Sequence, residues 1–387
     1  MNNLVHFTAL ITTFLLINSC GGGGSTSTVT NPTASQSNIV TGNFRDTTVI
    51  GLEYNSTSYN GITGTNGTYT CKKDENITFS LGNIHLGTIL CDSLITPLSL
   101  ITDSNISSST VTNMVQFLTM LDNDSDLSNG IFIEDYVRQL AQNWSSLNFA
   151  LANFDTQQNL LDIINEINNN VNTVTPHTLV SDAVAKAHLQ ETLYCAYAGV
   201  YKGTYSGSDT GKFGAVVSPL DGKMTIIGYS DGLSETFYGN GAQGFTLDST
   251  RNITGTTTTG TTFTGKIKTA NTVEGTWARF ILSGTFNGHR LGGANDAKFR
   301  FVGEYHGLYT GILSFDIASN NTVVGIDYRA DTGIVYQLSG NVVGNALTLS
   351  AQNGLTIHAD IDLVSSALSN GTSTAYTIFS GYGCKLN

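Results

Sequence analysis

Three aspartates at alternate positions form a pattern that could bind a metal ion. In the stretch LDNDSDLSNGI, Asp122, Asp124 and Asp126 precede Asn129. Ca²⁺ takes six to eight oxygen ligands, and carboxylates at this spacing can converge on one ion in a tight loop. The stretch is not an EF-hand, because Leu127 stands where the sixth loop position requires glycine. We therefore predict either a calcium site or a solvated turn whose side chains cap helix ends.

Two other patterns contain residue types found in active sites but lack the surrounding structure. The run IHADID places His358, Asp360 and Asp362 on one strand face, which could bind a metal or form a polar outer surface. The sequence GYSDG fits a nucleophile elbow around Ser230, but that motif requires a helix next, whereas LSETFYG is typical of a strand. No histidine and aspartate partners can be assigned to Ser230. The sequence thus predicts no catalytic residue and a protein that is not an enzyme.

The chain has five cysteines, and four remain when Cys20 is left out. In an exported chain an even number of cysteines indicates disulfides, and four cysteines allow three connectivities. We favour Cys71 with Cys91 and Cys195 with Cys384, because each bridge then stays within one module. The second bridge would tie the start of the C-terminal region to its end.

The composition is typical of an exported protein made of many short strands. Of 387 residues only 12% are charged, the net charge is -12, and there are 42 glycines but 4 prolines. Short strands joined by polar turns have this kind of composition. The negative charge would repel a phosphate backbone, so we expect no nucleic-acid partner.

The N-terminus has the features of an export signal followed by a flexible segment. The apolar run before Asn18 is too short to span a bilayer but has the length of a signal-peptide core. Four glycines and a Ser- and Thr-rich stretch follow Cys20, a composition typical of a random coil. One interpretation is a plain secretory signal in which the cysteine occurs by chance.

A second interpretation rests on the residues Ile17, Asn18, Ser19 and Cys20, which resemble the lipobox of bacterial lipoproteins. The resemblance implies that the signal peptide, residues 1–19, is removed and that Cys20 becomes a diacylated N-terminus. Residues 20–38 would then be a lipidated flexible linker, and the protein would be attached to a membrane by its lipid. The residue after the cysteine is not Asp, which by the same resemblance favours the outer membrane.

Residues 39–104 are predicted to form a small β-sandwich, because short runs of alternating apolar and polar residues are bounded by Asn, Gly and Ser. Within this region Gly61, Thr63, Gly67 and Tyr69 resemble a pattern found in carboxypeptidase-regulatory or transthyretin-like modules of bacterial surface proteins. The resemblance implies a rigid spacer or a binding platform.

Residues 105–197 are predicted to be helical. Val111, Met114, Val115 and Leu118 have the spacing of one helix face, which we expect to lie in a core. The segment also resembles an element of uncharacterised bacterial lipoproteins that carry the same N-terminal module.

Residues 198–387 contain an internal repeat. GVYKGTYSG at 199–207 recurs as GEYHGLYTG at 303–311, which predicts two copies of an antiparallel β unit, either up-and-down barrels or meander sheets. Tyr201 and Tyr205 would share a strand face. If exposed, such a stripe could stack on sugars. We favour a packed stripe that belongs to the core.

These features together predict a mainly β fold with a helical insert. The function that fits them is a non-enzymatic, outer-membrane-anchored lipoprotein on the surface or periplasmic side. It would bind a glycan or an envelope protein, or support adhesion or envelope structure, and it would need no cofactor apart from the Ca²⁺ considered above. A barrel that carries a lipid or small molecule is the alternative, and it requires a large internal cavity. An envelope hydrolase would require a buried pocket with an acid and a base.

Overall fold

The computed structural model describes residues 38–102, 104–269, 271–294, 297–374 and 378–386. The signal peptide, Cys20 and the linker up to residue 37 lie outside these residues, so they stay predictions. The architecture is mainly β with a helical insert, as predicted. Every helix in the described ranges is too short or too polar to cross a membrane.

The N-terminal part of the fold is a small β-sandwich. Its strands are β1 (Ile39–Phe44), β2 (Val49–Ile50), β3 (Glu53–Ser56), β4 (Asn60–Ile62), β5 (Thr68–Lys72), β6 (Asn76–Leu81), β7 (Ile84–Leu90) and β8 (Leu94–Ile95). One sheet has the order β5-β1-β8 and the other β4-β3-β6-β7. The rings of Phe44 and Phe79, one from each sheet, have centroids 4.7 Å apart, so the sheets share one core. Cys71 and Cys91 form the predicted disulfide.

Four α-helices follow within the described residues. They are α1 (Ser109–Met120), α2 (Asp135–Ala141), α3 (Gln158–Asn168) and α4 (Asp182–Tyr197), with the short strand β9 (Ile131–Phe132) before α2. The predicted apolar face of α1 is buried, and its residues pack into two different hydrophobic cores. Met114 and Leu118 pack with the sandwich, whereas Val111 and Val115 pack with α4 and the next module.

The first copy of the repeat is a barrel that is not fully closed, here called barrel 1. Its strands are β10 (Gly199–Gly207), β11 (Gly211–Val217), β12 (Met224–Ser230), β13 (Glu235–Gly239), β14 (Thr246–Leu247), β15 (Asn252–Thr256), β16 (Thr262–Thr269), β17 (Thr272–Arg279) and β18 (Leu282–Arg290). Strand β10 pairs with β18, and the sheet curls until the Thr258 N–H donates to the Tyr238 carbonyl oxygen at 2.7 Å. Leu189 and Leu193 of α4 cover one end of its core.

The second copy is a closed eight-stranded barrel, here called barrel 2. Its strands are β19 (Ala297–His306), β20 (Gly311–Ala318), β21 (Thr322–Arg329), β22 (Val335–Val343), β23 (Ala346–Ala351), β24 (Thr356–Asp362), β25 (Ala367–Ser373) and β26 (Ile378–Lys385). Each strand pairs with the next, and β26 pairs with β19. Of the two predicted arrangements, the structure therefore has the barrels.

The residues that occupy equivalent positions in the two barrels are not the ones that the repeated motif aligns. Tyr205 pairs with Gly211 in barrel 1, and Tyr305 pairs with Gly311 in barrel 2. Tyr205 therefore corresponds to Tyr305 and not to Tyr309. The motif has a tyrosine at every fourth position, so it matches itself equally well after a shift of four residues. Tyr201, Tyr205 and Tyr305 are all buried, and the prediction of a packed stripe is confirmed.

The two barrels pack side by side through β10, β11, β19 and β20. Their contact contains Val216, Val302 and Ile312, all buried. Strand β10 begins directly after α4, and Cys384 near the end of β26 forms the predicted disulfide with Cys195 of α4. Both barrels consequently have one end at α4.

Candidate functional site

Two open cavities of about 680 and 700 Å³ lie along the contact between the barrels. We call them together the inter-barrel groove. Residues that line the first cavity include Tyr238, Thr258, His306, Tyr309 and Asp331, and residues that line the second include Asp221, Lys223, Thr225, Asn240, Glu304 and Tyr382. Volumes of this size are typical of ligand-binding clefts.

Tyr238 lines the first cavity, and its hydroxyl group bonds residues that line the second. It donates to Glu304 Oε2 at 3.4 Å and accepts from the Asn240 amide at 2.8 Å. Thr225 Oγ1 also donates to Glu304 Oε2, at 2.9 Å. Burial and the negative charge of Glu304 both raise the pKa of Tyr238, so its hydroxyl remains a protonated donor at neutral pH. Since β13 carries Tyr238 and β19 carries Glu304, this network joins the two barrels.

Strand alternation explains why these side chains face the groove. Glu304 lies between the buried residues Gly303 and Tyr305 on β19. Successive side chains of a strand point to opposite faces, so when Tyr305 points into barrel 2, Glu304 points out towards barrel 1. Inside the barrel, the Tyr305 hydroxyl donates to Asp327 Oδ1 at 2.7 Å. The core residues of β19 thus fix the direction of the groove residue between them.

Aromatic side chains line the groove around this network. The His306 and Tyr238 rings have centroids 5.9 Å apart and are nearly perpendicular. The guanidinium group of Arg329 lies 3.6 Å from the centre of the Tyr309 ring and donates to Asp331. Such rings offer an apolar face with a polar edge. The groove therefore combines aromatic stacking surfaces with hydrogen-bond donors and acceptors.

Sequence patterns indicated only part of this groove. The repeated motif contains Glu304, His306 and Tyr309, but nothing local in the sequence links them to Tyr238. The link depends on how two separate barrels pack against each other. The available signal that this outer face is not simply solvent-exposed was Val302, an apolar residue that shares the outward face of the strand with Glu304.

The predicted calcium ligands accept and donate hydrogen bonds within their own loop. Asp124 accepts the Asp126 N–H at 2.9 Å and the Asn129 amide at 2.9 Å. Asp126 accepts the Ser128 N–H at 3.0 Å, and the buried Asp122 accepts the Phe132 N–H at 2.9 Å. Within the described ranges, no group of three or more His, Cys, Asp and Glu side chains is placed to hold a metal ion.

These carboxylates instead stabilise the turn, which is the second of the two interpretations drawn from the sequence. Side-chain oxygens that accept nearby backbone N–H groups are typical of Asx turns and caps. Burial and the neighbouring Asp124 together raise the pKa of Asp122 to about 6.

His358, Asp360 and Asp362 lie on the outer face of barrel 2, all exposed on β24. Asp360 accepts the Asn370 amide at 2.7 Å, and Asp362 accepts the Ser365 hydroxyl at 2.6 Å in the following turn. The polar-surface interpretation of this stretch therefore fits the structure better than a metal site does.

Ser230 lies at the end of β12 with its hydroxyl donating to Asp209 Oδ2 at 2.6 Å. A short turn and then strand β13 follow it, so the helix that a nucleophile elbow requires is replaced by a strand. The adjacent cavity of about 20 Å³ has no histidine in its described lining. Ser230 has the role of a structural hydrogen-bond donor.

The interior of barrel 1 is filled by side chains. Its core includes Phe213, Phe263 and Phe286, whose rings pack against one another. A cavity of about 20 Å³ remains among them. A space of that size holds about one water molecule. This interior does not provide the large cavity that the carrier alternative requires.

The chain matches no family model, and no curated protein is matched by its sequence. Solved structures similar to parts of it include kievitone hydratase from Nectria haematococca, at 9% identity over 48% of this chain and 89% of that chain, with a TM-score of 0.18. A protein of unknown function from Nostoc punctiforme has 10% identity over 51% and 98%, with a TM-score of 0.19. Isotype 1 transferrin binding protein B from serogroup B Neisseria meningitidis has 11% identity over 46% and 52%, with a TM-score of 0.17. These likenesses carry no inference about function.

Proposed function

We propose that this protein is a non-enzymatic lipoprotein, anchored to the outer membrane through Cys20, that binds a glycan in the inter-barrel groove. The observation that carries the proposal is the groove itself, two open cavities along the contact between the barrels whose lining residues are linked by the Tyr238–Glu304 hydrogen bond. The lipid anchor rests on the lipobox resemblance, and the export that it implies agrees with the two disulfides.

The chemistry of the groove favours a glycan over an apolar ligand. Sugars present hydroxyl groups at the ring edge and apolar C–H groups on the ring face. The half-buried Tyr238 and the exposed His306 can pack against such a face, and Glu304 and Asn240 can bond the hydroxyls. An apolar ligand would leave these polar groups without compensation.

The groove also differs from an enzyme pocket in being long, open and shared by two rigid barrels. Strands carry Thr225, Tyr238 and Glu304, so the two barrels present these polar groups on a preformed surface. A preformed surface of this kind suits binding, because little ordering free energy is required when the ligand arrives.

Replacing Tyr238 with Ala tests the binding proposal. The substitution removes the central ring and the hydroxyl that joins Glu304 to Asn240, so we expect glycan affinity to fall at least about tenfold. A glycan array identifies ligands for the wild-type protein, and calorimetry measures the loss. The matched control is Tyr59→Ala, since Tyr59 is half-buried in the turn before β4, on the sandwich. Equal affinity of both variants and the wild type would place binding elsewhere.

Replacing Cys20 with Ala tests the anchor. Several acyl chains hold a protein in a bilayer because each buried CH₂ group contributes about 0.8 kcal/mol. We expect the wild type in the membrane fraction with an acylated first residue, and the Cys20→Ala variant in the soluble fraction. Membrane retention of the variant, or a wild-type N-terminus without acyl mass, would rule out lipidation.

A further inference from the structure

The charges that line the inter-barrel groove do not cancel. Asp331 pairs with Arg329, and Asp221 pairs with Lys223 at 2.6 Å. Glu304 differs from both, since its recorded partners in the described ranges are hydroxyl groups and the imidazole of His306, 3.8 Å away, with no lysine or arginine among them. The centre of the groove therefore carries a carboxylate that no strong cation neutralises.

We propose that the groove selects uncharged glycans and rejects glycans that carry phosphate, sulfate or carboxylate groups. This inference rests on the proposed function and names the ligand class of the same site. Glu304 has a side chain that is 37% exposed, so a bound sugar can reach it directly. Because Glu304 lines the second cavity and bonds Tyr238 of the first, a ligand that contacts both sets of residues would lie close to its carboxylate.

The hydrogen bonds that Glu304 can accept also favour an uncharged glycan. An ionised carboxylate only accepts, and the hydroxyls of Thr225 and Tyr238 already donate to one of its oxygens. The Glu304 carboxylate can accept further hydrogen bonds, and the hydroxyl groups of a neutral sugar can donate them. An acidic substituent has no proton to donate at neutral pH, and its charge would meet a like charge. The net charge of the whole chain, -12, adds repulsion at longer range.

The size of the effect follows from the charge separation. Two like charges about 4 Å apart repel by about 1 kcal/mol in water and more at a protein surface. An acidic substituent over Glu304 should therefore weaken binding at least about fivefold relative to the neutral parent. Added salt should reduce this difference, since exposed charges are screened.

The experiment uses pairs of oligosaccharides that are identical except for one sulfate, phosphate or carboxylate group. We expect the neutral member of each pair to bind the wild-type protein more tightly, with a gap that shrinks at high ionic strength. In Glu304→Gln the gap should shrink at low salt as well, because the amide keeps the shape and removes the charge. Glu274→Gln, an equal charge change on the exposed face of β17, should leave the gap unchanged.

Each outcome separates this inference from the proposal on which it rests. If acidic members bind as tightly as neutral ones or more tightly, the inference is overturned while glycan binding stands. A gap that persists in Glu304→Gln overturns the role of Glu304. If no oligosaccharide of either kind binds, the proposed function itself fails. The salt dependence of the wild type provides a test that needs no variant to fold.

Discussion

Asp122 is a buried carboxyl group at the end of α1, in the loop that leads to β9. Its side chain is almost fully removed from solvent. It accepts a hydrogen bond from the backbone N–H of Phe132, and this bond holds the loop to β9. Burial disfavours the charged form and raises the pKa to about 6. This carboxyl group therefore makes the fold more stable when it is protonated.

Asp122 should make stability depend on pH. Its pKa in the folded chain, about 6, lies above the ordinary value near 3.9, so its contribution is complete below about pH 4 and is lost as the pH rises through 6. We expect the free energy of unfolding to decline by about 2 kcal/mol or less over this pH range. Urea unfolding between pH 4 and pH 8 should show this decline in the wild type and not in Asp122→Asn. Asp126→Asn, on the exposed side of the loop, is the control. A Ca²⁺-dependent gain in stability that both Asp122→Asn and Asp126→Asn abolish would instead support a calcium site.

Strands β11 and β21 show how the elements set the distance between the barrels. An added Cβ at Gly214 would lie 2.4 Å from the Tyr328 ring, which belongs to barrel 2. Real contacts are never this close, so only glycine allows the barrels to approach here. That approach positions β13 and β19 side by side, and hence Tyr238 against Glu304. The groove thus depends on the absence of a side chain as well as on the groups that line it.

Local patterns predicted individual elements better than their combination. The spacing of Met114 and Leu118 indicated a buried helix face, and alternation indicated strands, because these periodicities follow from backbone geometry. The sequence match between the two barrels had the wrong register, since its Gly and Tyr spacing is self-similar. Tyr238 and Glu304, separated by 66 positions, meet only through packing of whole barrels, which no local periodicity encodes.

Helix α4 connects all three parts of the described structure. It covers the end of barrel 1, its Thr192 hydroxyl accepts the Thr47 N–H of the sandwich at 2.9 Å, and its Cys195 is bonded to barrel 2. Arg290 donates to the Ala196 carbonyl oxygen at 2.7 Å, near the C-terminal end of the helix. A cation at this end is favoured by the helix dipole. Helix α4 therefore supplies a contact to each module, in addition to the direct contact between the two barrels.

The two disulfides should contribute unequally to the stability of the whole molecule. Cys195 and Cys384 are 189 positions apart, whereas Cys71 and Cys91 are 20 apart. In the chain-entropy model the longer loop is worth about 5 kcal/mol and the shorter about 3, because a longer loop restricts the unfolded chain more. The double variant Cys195→Ser/Cys384→Ser should therefore unfold at lower denaturant than Cys71→Ser/Cys91→Ser.

The two tryptophans allow each disulfide to be followed in its own region. Trp144 packs with the sandwich core, and Trp277 packs inside barrel 1. Loss of the Cys71–Cys91 bridge should lower mainly the transition seen by Trp144, with Trp144→Phe and Trp277→Phe backgrounds separating the signals. Loss of the bridge at α4 should lower both, because α4 packs on barrel 1 and contacts the sandwich. If the long-range bridge proves the less stabilising of the two, the modules are held together by their packed interfaces and not by the covalent link through α4.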